Sequence, residues 1–138
     1  MGDAGQQRDL VNGFLARFGE ERDLALAPLS EAGVSSVQRG SAVVWIHCLP
    51  DQGVLLLLSR VMPVPAAGAE ALYRRALELS FLATGDAAFA IDKTSNELYL
   101  RALRRLDGLD YDEFEDLVHT VASVADEWDD KLRREFGA

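Results

Sequence analysis

The chain has 138 residues, with 14 lysines and arginines against 23 aspartates and glutamates, for a formal charge of −9. No basic cluster is dense enough to track a phosphate backbone, so nucleic acid is excluded as the expected partner. A single cysteine, Cys48, excludes an internal disulfide and fits a reducing compartment, taken as the cytosol. The length suits one domain over residues 1–138 that buries about two-thirds of its unfolded surface.

The opening MGDAGQQRDL carries Asp3 and no apolar core of signal-peptide length, and later apolar runs fall short of a membrane span. Neither signal-directed export nor membrane insertion is expected. From Gln6 to Phe18, residues Leu10, Val11, Phe14, Leu15 and Phe18 fall on one side of a helix with Arg8, Asn12 and Arg17 opposite, and Gly19 reads as its stop. A helix this short is marginal alone in water and needs a surface to lie on. Leu24–Gly33 holds Pro28, Ser30 and Gly33, which points to an extended connector.

Val34–Gln38, Ala42–Leu49 and Val54–Val61 then read as three antiparallel strands joined by Arg39-Gly40 and by Pro50-Asp51-Gln52-Gly53. With even parity across the second turn, Ala42, Val44, Ile46 and Cys48 share a face with Leu55 and Leu57. Val43, Trp45 and His47 then share the other with Val54, Leu56 and Leu58. Both faces are apolar, whereas an antiparallel sheet usually leaves one face wet. This is the main physical argument for a partner.

Met62-Pro63-Val64-Pro65 ends the strand, and Ala66–Leu82 reads as a second helix. Leu72, Ala76 and Leu79 form one stripe and Tyr73, Leu77 and Phe81 an adjacent one, an apolar arc wider than one docking face requires. Ala87–Asp92 and Glu97–Leu106 read as two strands about the turn Lys93–Asn96, with Leu98, Leu100 and Ala102 on the apolar face of the second. Past Asp107-Gly108-Leu109 the period lengthens: Phe114, Leu117, Val118, Val121, Ala125, Trp128, Leu132 and Phe136 line one stripe of a long helix. Asp110 is its expected N-cap, with Glu113 three residues on.

No phosphate-binding glycine motif, dinucleotide fingerprint, HExxH, CxxC or GxSxG occurs, so no catalytic residue is assigned. His47 and His119 lie far apart in sequence and read as structural or exposed, although a small enzyme with a nonlocal site around one of them remains a rival. Cys48, on an apolar strand face, reads as a buried small hydrophobe. Asp126, Glu127, Asp129 and Asp130 read as a solvated flank rather than a metal cluster, because only some of them share a helix face.

The run Leu77–Leu132 resembles the carboxy-terminal half of the small acidic chaperones of type III secretion effectors, the CesT-like class I chaperones. The matching features are a helix ending in Leu79-Ser80-Phe81, the strand Ala90-Ile91-Asp92, the strand Glu97–Leu100, and a helix closing on Ala125, Trp128 and Leu132. Ser80 stands where the family often has Asn. The resemblance implies an α+β fold in which an antiparallel sheet and three helices follow the order α-β-β-β-α-β-β-α, paired as a homodimer. It implies a cytoplasmic bacterial chaperone with no catalysis and no cofactor. Its client would be a secreted effector, held through an amino-proximal segment in extended form, without ATP, and kept competent for the secretion apparatus.

Residues expected at the client are Leu10, Phe14 and Phe18 on the first helix with Val43, Trp45, Leu56 and Leu58 on the sheet. The first three read equally as ordinary core. Those expected at the dimer interface are Leu72, Tyr73 and Leu77 with Tyr99 and Leu103. The alternative within this fold is a dimeric adaptor that sequesters a regulatory protein.

Overall fold

The computed structural model describes residues 4–137, so the expectation about a signal at the very start lies partly outside the described residues. The elements are α1 (Ala4–Arg22), β1 (Val34–Arg39), β2 (Ala42–Leu49), β3 (Val54–Pro63), α2 (Ala69–Leu82), β4 (Ala88–Asp92), β5 (Glu97–Arg105) and α3 (Tyr111–Phe136). The five strands form one antiparallel sheet in the order β1-β2-β3-β5-β4. The first three are the expected meander, and β5 then inserts between β3 and β4.

Strand pairing sets Ile46 opposite Leu57 and Cys48 opposite Leu55, with Trp45 opposite Leu58 and His47 opposite Leu56. This is the even-parity register. The first set is buried to within 2% of full occlusion, whereas the second is half-buried or exposed. The helices therefore share one face of the sheet. α3 crosses β1, β2, β3 and β5, α1 lies against α3 and β2, and α2 lies against β4.

The inner core joins Val44, Ile46, Leu55, Leu57, Leu98 and Leu100 of the sheet to Phe114, Leu117, Val118, Val121 and Leu132 of α3. Each such side chain contributes about 1.5–3 kcal/mol on burial, so docking of α3 dominates the assembly. Its start is set locally, since the Asp110 carboxylate accepts the Glu113 N–H at 2.8 Å. Acids in its first turn and Arg133 and Arg134 in its last oppose the helix dipole.

Several boundaries differ from expectation by a few residues, and two of the differences have a clear physical cause. α1 continues through Gly19 to Arg22. Gly19 is instead the place where the chain folds back: Leu24 N–H donates to Gly19 C=O at 2.8 Å, and a Cβ at position 19 would stand 2.7 Å from the Leu24 carbonyl oxygen. α2 begins at Ala69 rather than Ala66, because Gly68 holds a left-handed conformation with φ of 80° that helical residues do not adopt.

Ser80 joins α2 to β4. Its hydroxyl donates to the Ala76 carbonyl at 2.9 Å and accepts the Phe89 N–H at 3.0 Å. The β1–β2 turn is tied to α3, where Ser41 donates its N–H to Asp126 and its hydroxyl to the buried Asp129.

Candidate protein-binding surfaces

Among the described residues, two surfaces each group several exposed large apolar side chains. The first is the outer face of the sheet, built row by row by strand register. One row runs Ser36, Trp45, Leu58, Arg101, Ala88, and the next runs Val34, His47, Leu56, Leu103. Trp45 is 45% and Leu103 39% exposed, and Val43, Leu56 and Leu58 are half-buried only by their neighbours. None of the described helices packs on this side.

The second surface lies along α2 and the free edge of β4. Helical spacing that buries Leu72, Ala76 and Leu79 turns Tyr73, Leu77 and Phe81 outward, with Leu77 70% and Phe81 90% exposed. Leu82 is exposed beside them. An apolar groove of about 380 Å³, lined by Tyr73, Leu77, Phe89, Ala90 and Ile91 among others, runs between helix and strand.

The expected contact residues divide between these surfaces and the core. Phe18 is 4% exposed and Leu72 fully buried within the single chain, so both are corrected to core residues. Phe18 meets the Phe114 ring edge-on at 6.1 Å, and Leu72 sits on the inner stripe of α2. Phe14 is partly buried against Phe114 and Tyr111, at ring separations of 5.5 and 5.9 Å. Leu10 stands at the exposed rim of α1. Val43, Trp45, Leu56 and Leu58 share the outer sheet face with Tyr99 and Leu103, so that face joins residues assigned in sequence to client and to dimer. Tyr73 and Leu77 lie on the α2 surface. Phe81, Leu82 and Ile91 were not among the expected contacts. For Phe81 the signal was its place on the second stripe of α2.

Among the described residues, the two histidines, Cys48 and the acidic run of α3 are not brought together. His47 is on the outer sheet face, where burial lowers its pKa. His119 is on α3, across the sheet, and its Nδ1 accepts from Arg39 at 3.1 Å. The two histidines therefore line no common pocket. The Cys48 thiol is buried in the core, and burial raises its pKa against a smaller opposing effect of Arg8. The acidic run of α3 disperses: Asp126 and Asp129 hold Ser41, Glu127 faces Lys131, and Asp130 faces Arg133.

A polar cluster pins α1 to α3. The Tyr111 hydroxyl donates to Glu21 at 2.5 Å, Arg22 meets Glu115 at 2.7 Å, and the Arg17 guanidinium lies 4.0 Å from the Tyr111 ring centre. The Tyr111 hydrogen bond, with Arg17 and Arg22, holds the Glu21 carboxyl below its usual range. Burial and the Glu21 contact push the Tyr111 phenol up to about 12.

The three-helix layer on one side of a five-stranded antiparallel sheet is shared with solved structures of other proteins. The fold matches the crystal structure of the ExsC–ExsE complex with a TM-score of 0.73 at 23% identity, covering 95% of this chain and 97% of that one. It matches the HopA1–SchA chaperone–effector complex at 0.70 and 13%, covering 91% and 97%. It matches the ExoT–SpcS complex from Pseudomonas aeruginosa at 0.62 and 21%, covering 86% and 96%. The profile of the Tir chaperone protein (CesT) family matches residues 13–129, and the chain belongs to that family. A comparison with curated sequences gives no significant match.

Proposed function

We propose that this protein is a cytoplasmic, homodimeric and catalytically inert chaperone of type III secretion. It binds an amino-proximal segment of an exported effector in extended form and keeps it soluble and competent for export. The observation that carries the reading is the pair of uncovered apolar surfaces on a member of a chaperone family. One surface serves a second copy and the other the client. The α2 groove and the β4 edge suit pairing of two copies. The outer sheet face, with Trp45 at its centre, suits an extended client. No helix among the described residues is long and apolar enough to cross a membrane.

The test is export itself. Deleting the gene in its own cells is expected to remove one secreted protein from the medium and to lower its level inside. Wild-type protein restores export, whereas Trp45→Asp with Leu56→Asp does not. Export unchanged by the deletion contradicts the reading.

A further inference from the structure

Most cations of this chain have a partner. Arg17, Arg22, Arg60, Arg74, Arg104, Lys131 and Arg133 face carboxylates. Arg8 donates to the Ser30 carbonyl, Arg39 to His119 and Arg134 to the Asp130 carbonyl, and Arg75 lies over Trp128. Lys93 stands in an exposed turn, and Arg105 borders a hollow shared with Asp51 and Asp107.

Arg101 is different. It is half-buried in the middle of the outer sheet face, between Leu58 of β3 and Ala88 of β4, and its guanidinium has no ion pair or hydrogen bond among the described residues. Cross-strand neighbours of a charged residue commonly carry the opposite charge, and acids outnumber bases in this chain by 23 to 14. The carboxylates on this face, Glu97 and Asp92, are neighbours at its far end, and Glu97 is taken by Arg60.

We infer that the outer sheet face selects an extended client segment in which a carboxylate lies close in sequence to a large apolar residue, the carboxylate meeting Arg101 while the apolar side chain covers Trp45 and Leu58. This deepens the reading of the face as the client site and rests on it. Trp45 and Arg101 are two strands apart, about 10 Å at the usual strand spacing. An extended client repeats side chains on one face about every 6.7 Å, so an acid two residues from the apolar anchor is within reach of Arg101. A guanidinium offers a carboxylate two parallel hydrogen bonds. The overall charge of −9 argues the other way and favours basic segments. The two expectations are opposite in sign.

The experiment compares short synthetic peptides that share one apolar sequence and carry either glutamate or lysine at the alternate positions, bound to the full chain and followed by fluorescence anisotropy. At low salt the glutamate peptide is expected to bind about tenfold more tightly. Salt is expected to reduce that preference, Arg101→Gln to abolish it and Arg101→Glu to invert it. NMR of the wild-type chain provides a readout independent of any variant's folding, because the Arg101 Nε–H resonance is expected to shift with the glutamate peptide. Equal or tighter binding of the lysine peptide, an unmoved Arg101 resonance, or no binding of either peptide overturns the inference. So does concentration-dependent coverage of this face by a second copy. A native client held on this face without a carboxylate at Arg101 overturns the inference and leaves the chaperone reading standing.

Discussion

Leu56 of β3 stands directly opposite Leu103 of β5 on the outer face of the sheet. Both point away from the helices, and the pair continues the row that starts with Val34 and His47. This adjacency makes the outer face one surface. A client laid over Trp45 and Leu58 also reaches Leu103.

If α2 and the β4 edge join two copies, the purified protein has twice the mass of the 15.1 kDa chain. Leu77→Asp and Phe81→Asp replace side chains that are 70% and 90% exposed. Such substitutions leave a folded single chain nearly as stable, within about 0.5 kcal/mol, but place charge in an apolar interface. Light scattering is expected to show the single-chain mass for the double variant, with an unchanged far-ultraviolet spectrum. A wild-type protein of single-chain mass at high concentration contradicts the pairing.

Phe18→Ala removes a core ring packed on Phe114 and is expected to cost about 3–5 kcal/mol. Leu10→Ala, at the rim of the same helix, is expected to change stability by less than about 0.5 kcal/mol. Denaturant unfolding separates them. Similar losses for the two variants contradict this division of α1 into a core side and a free side.

The β1–β2 turn depends on a glycine. Gly40 has φ of 57°, and a Cβ there would overlap the Asp126 carboxylate of α3. Gly40→Ala is expected to cost on the order of 1–3 kcal/mol. In combination with Asp126→Ala the total loss is expected to fall short of the sum by at least about 0.5 kcal/mol, because the overlap is gone. Strict additivity in a double-mutant cycle rules out the overlap.

Tyr111 supplies a test by pH. Its phenol is raised to about 12, so the folded state keeps a proton that the unfolded chain loses near 10. The contribution to stability is therefore complete below about pH 10 and is lost as pH rises through 12. Glu21 acts in the opposite range: its lowered pKa stabilises the fold above the usual carboxylate range, and that contribution fades as pH falls through the folded value. Absorbance of phenolate is expected to show one late step that vanishes in Tyr111→Phe. Completion of all tyrosine ionisation well below pH 12 contradicts the contact with Glu21.

Alternation in Ala42–Leu49 and Val54–Val61 separated the two faces of each strand, and which faces join followed only on the condition of even parity across the second turn, which the pairing of Ile46 with Leu57 meets. The Asp110 cap and the α3 stripe were equally local. Local pattern left open which face the helices would take, since Val, Ile and Leu stand on both sides. That choice follows from where α1 and α3 attach, a long-range matter. The stop assigned at Gly19 failed because a glycine that admits a neighbouring backbone looks the same in sequence as one that ends a helix. Phe18 and Phe14 likewise share one helix stripe, and only the position of Phe114 shows that Phe18 is the more deeply packed. Arg101 could not be singled out from sequence, because its lack of a partner depends on what Leu58 and Ala88 bring beside it.

The most direct measurement is the identity of what the native protein holds in its own cells, and which part of it. After purification of the complex and trimming with protease, mass spectrometry is expected to find a secreted protein shielded only along an amino-proximal stretch, with Trp45→Asp protein recovering none of it. A cytosolic regulator as sole partner, or shielding of a folded domain alone, contradicts the account.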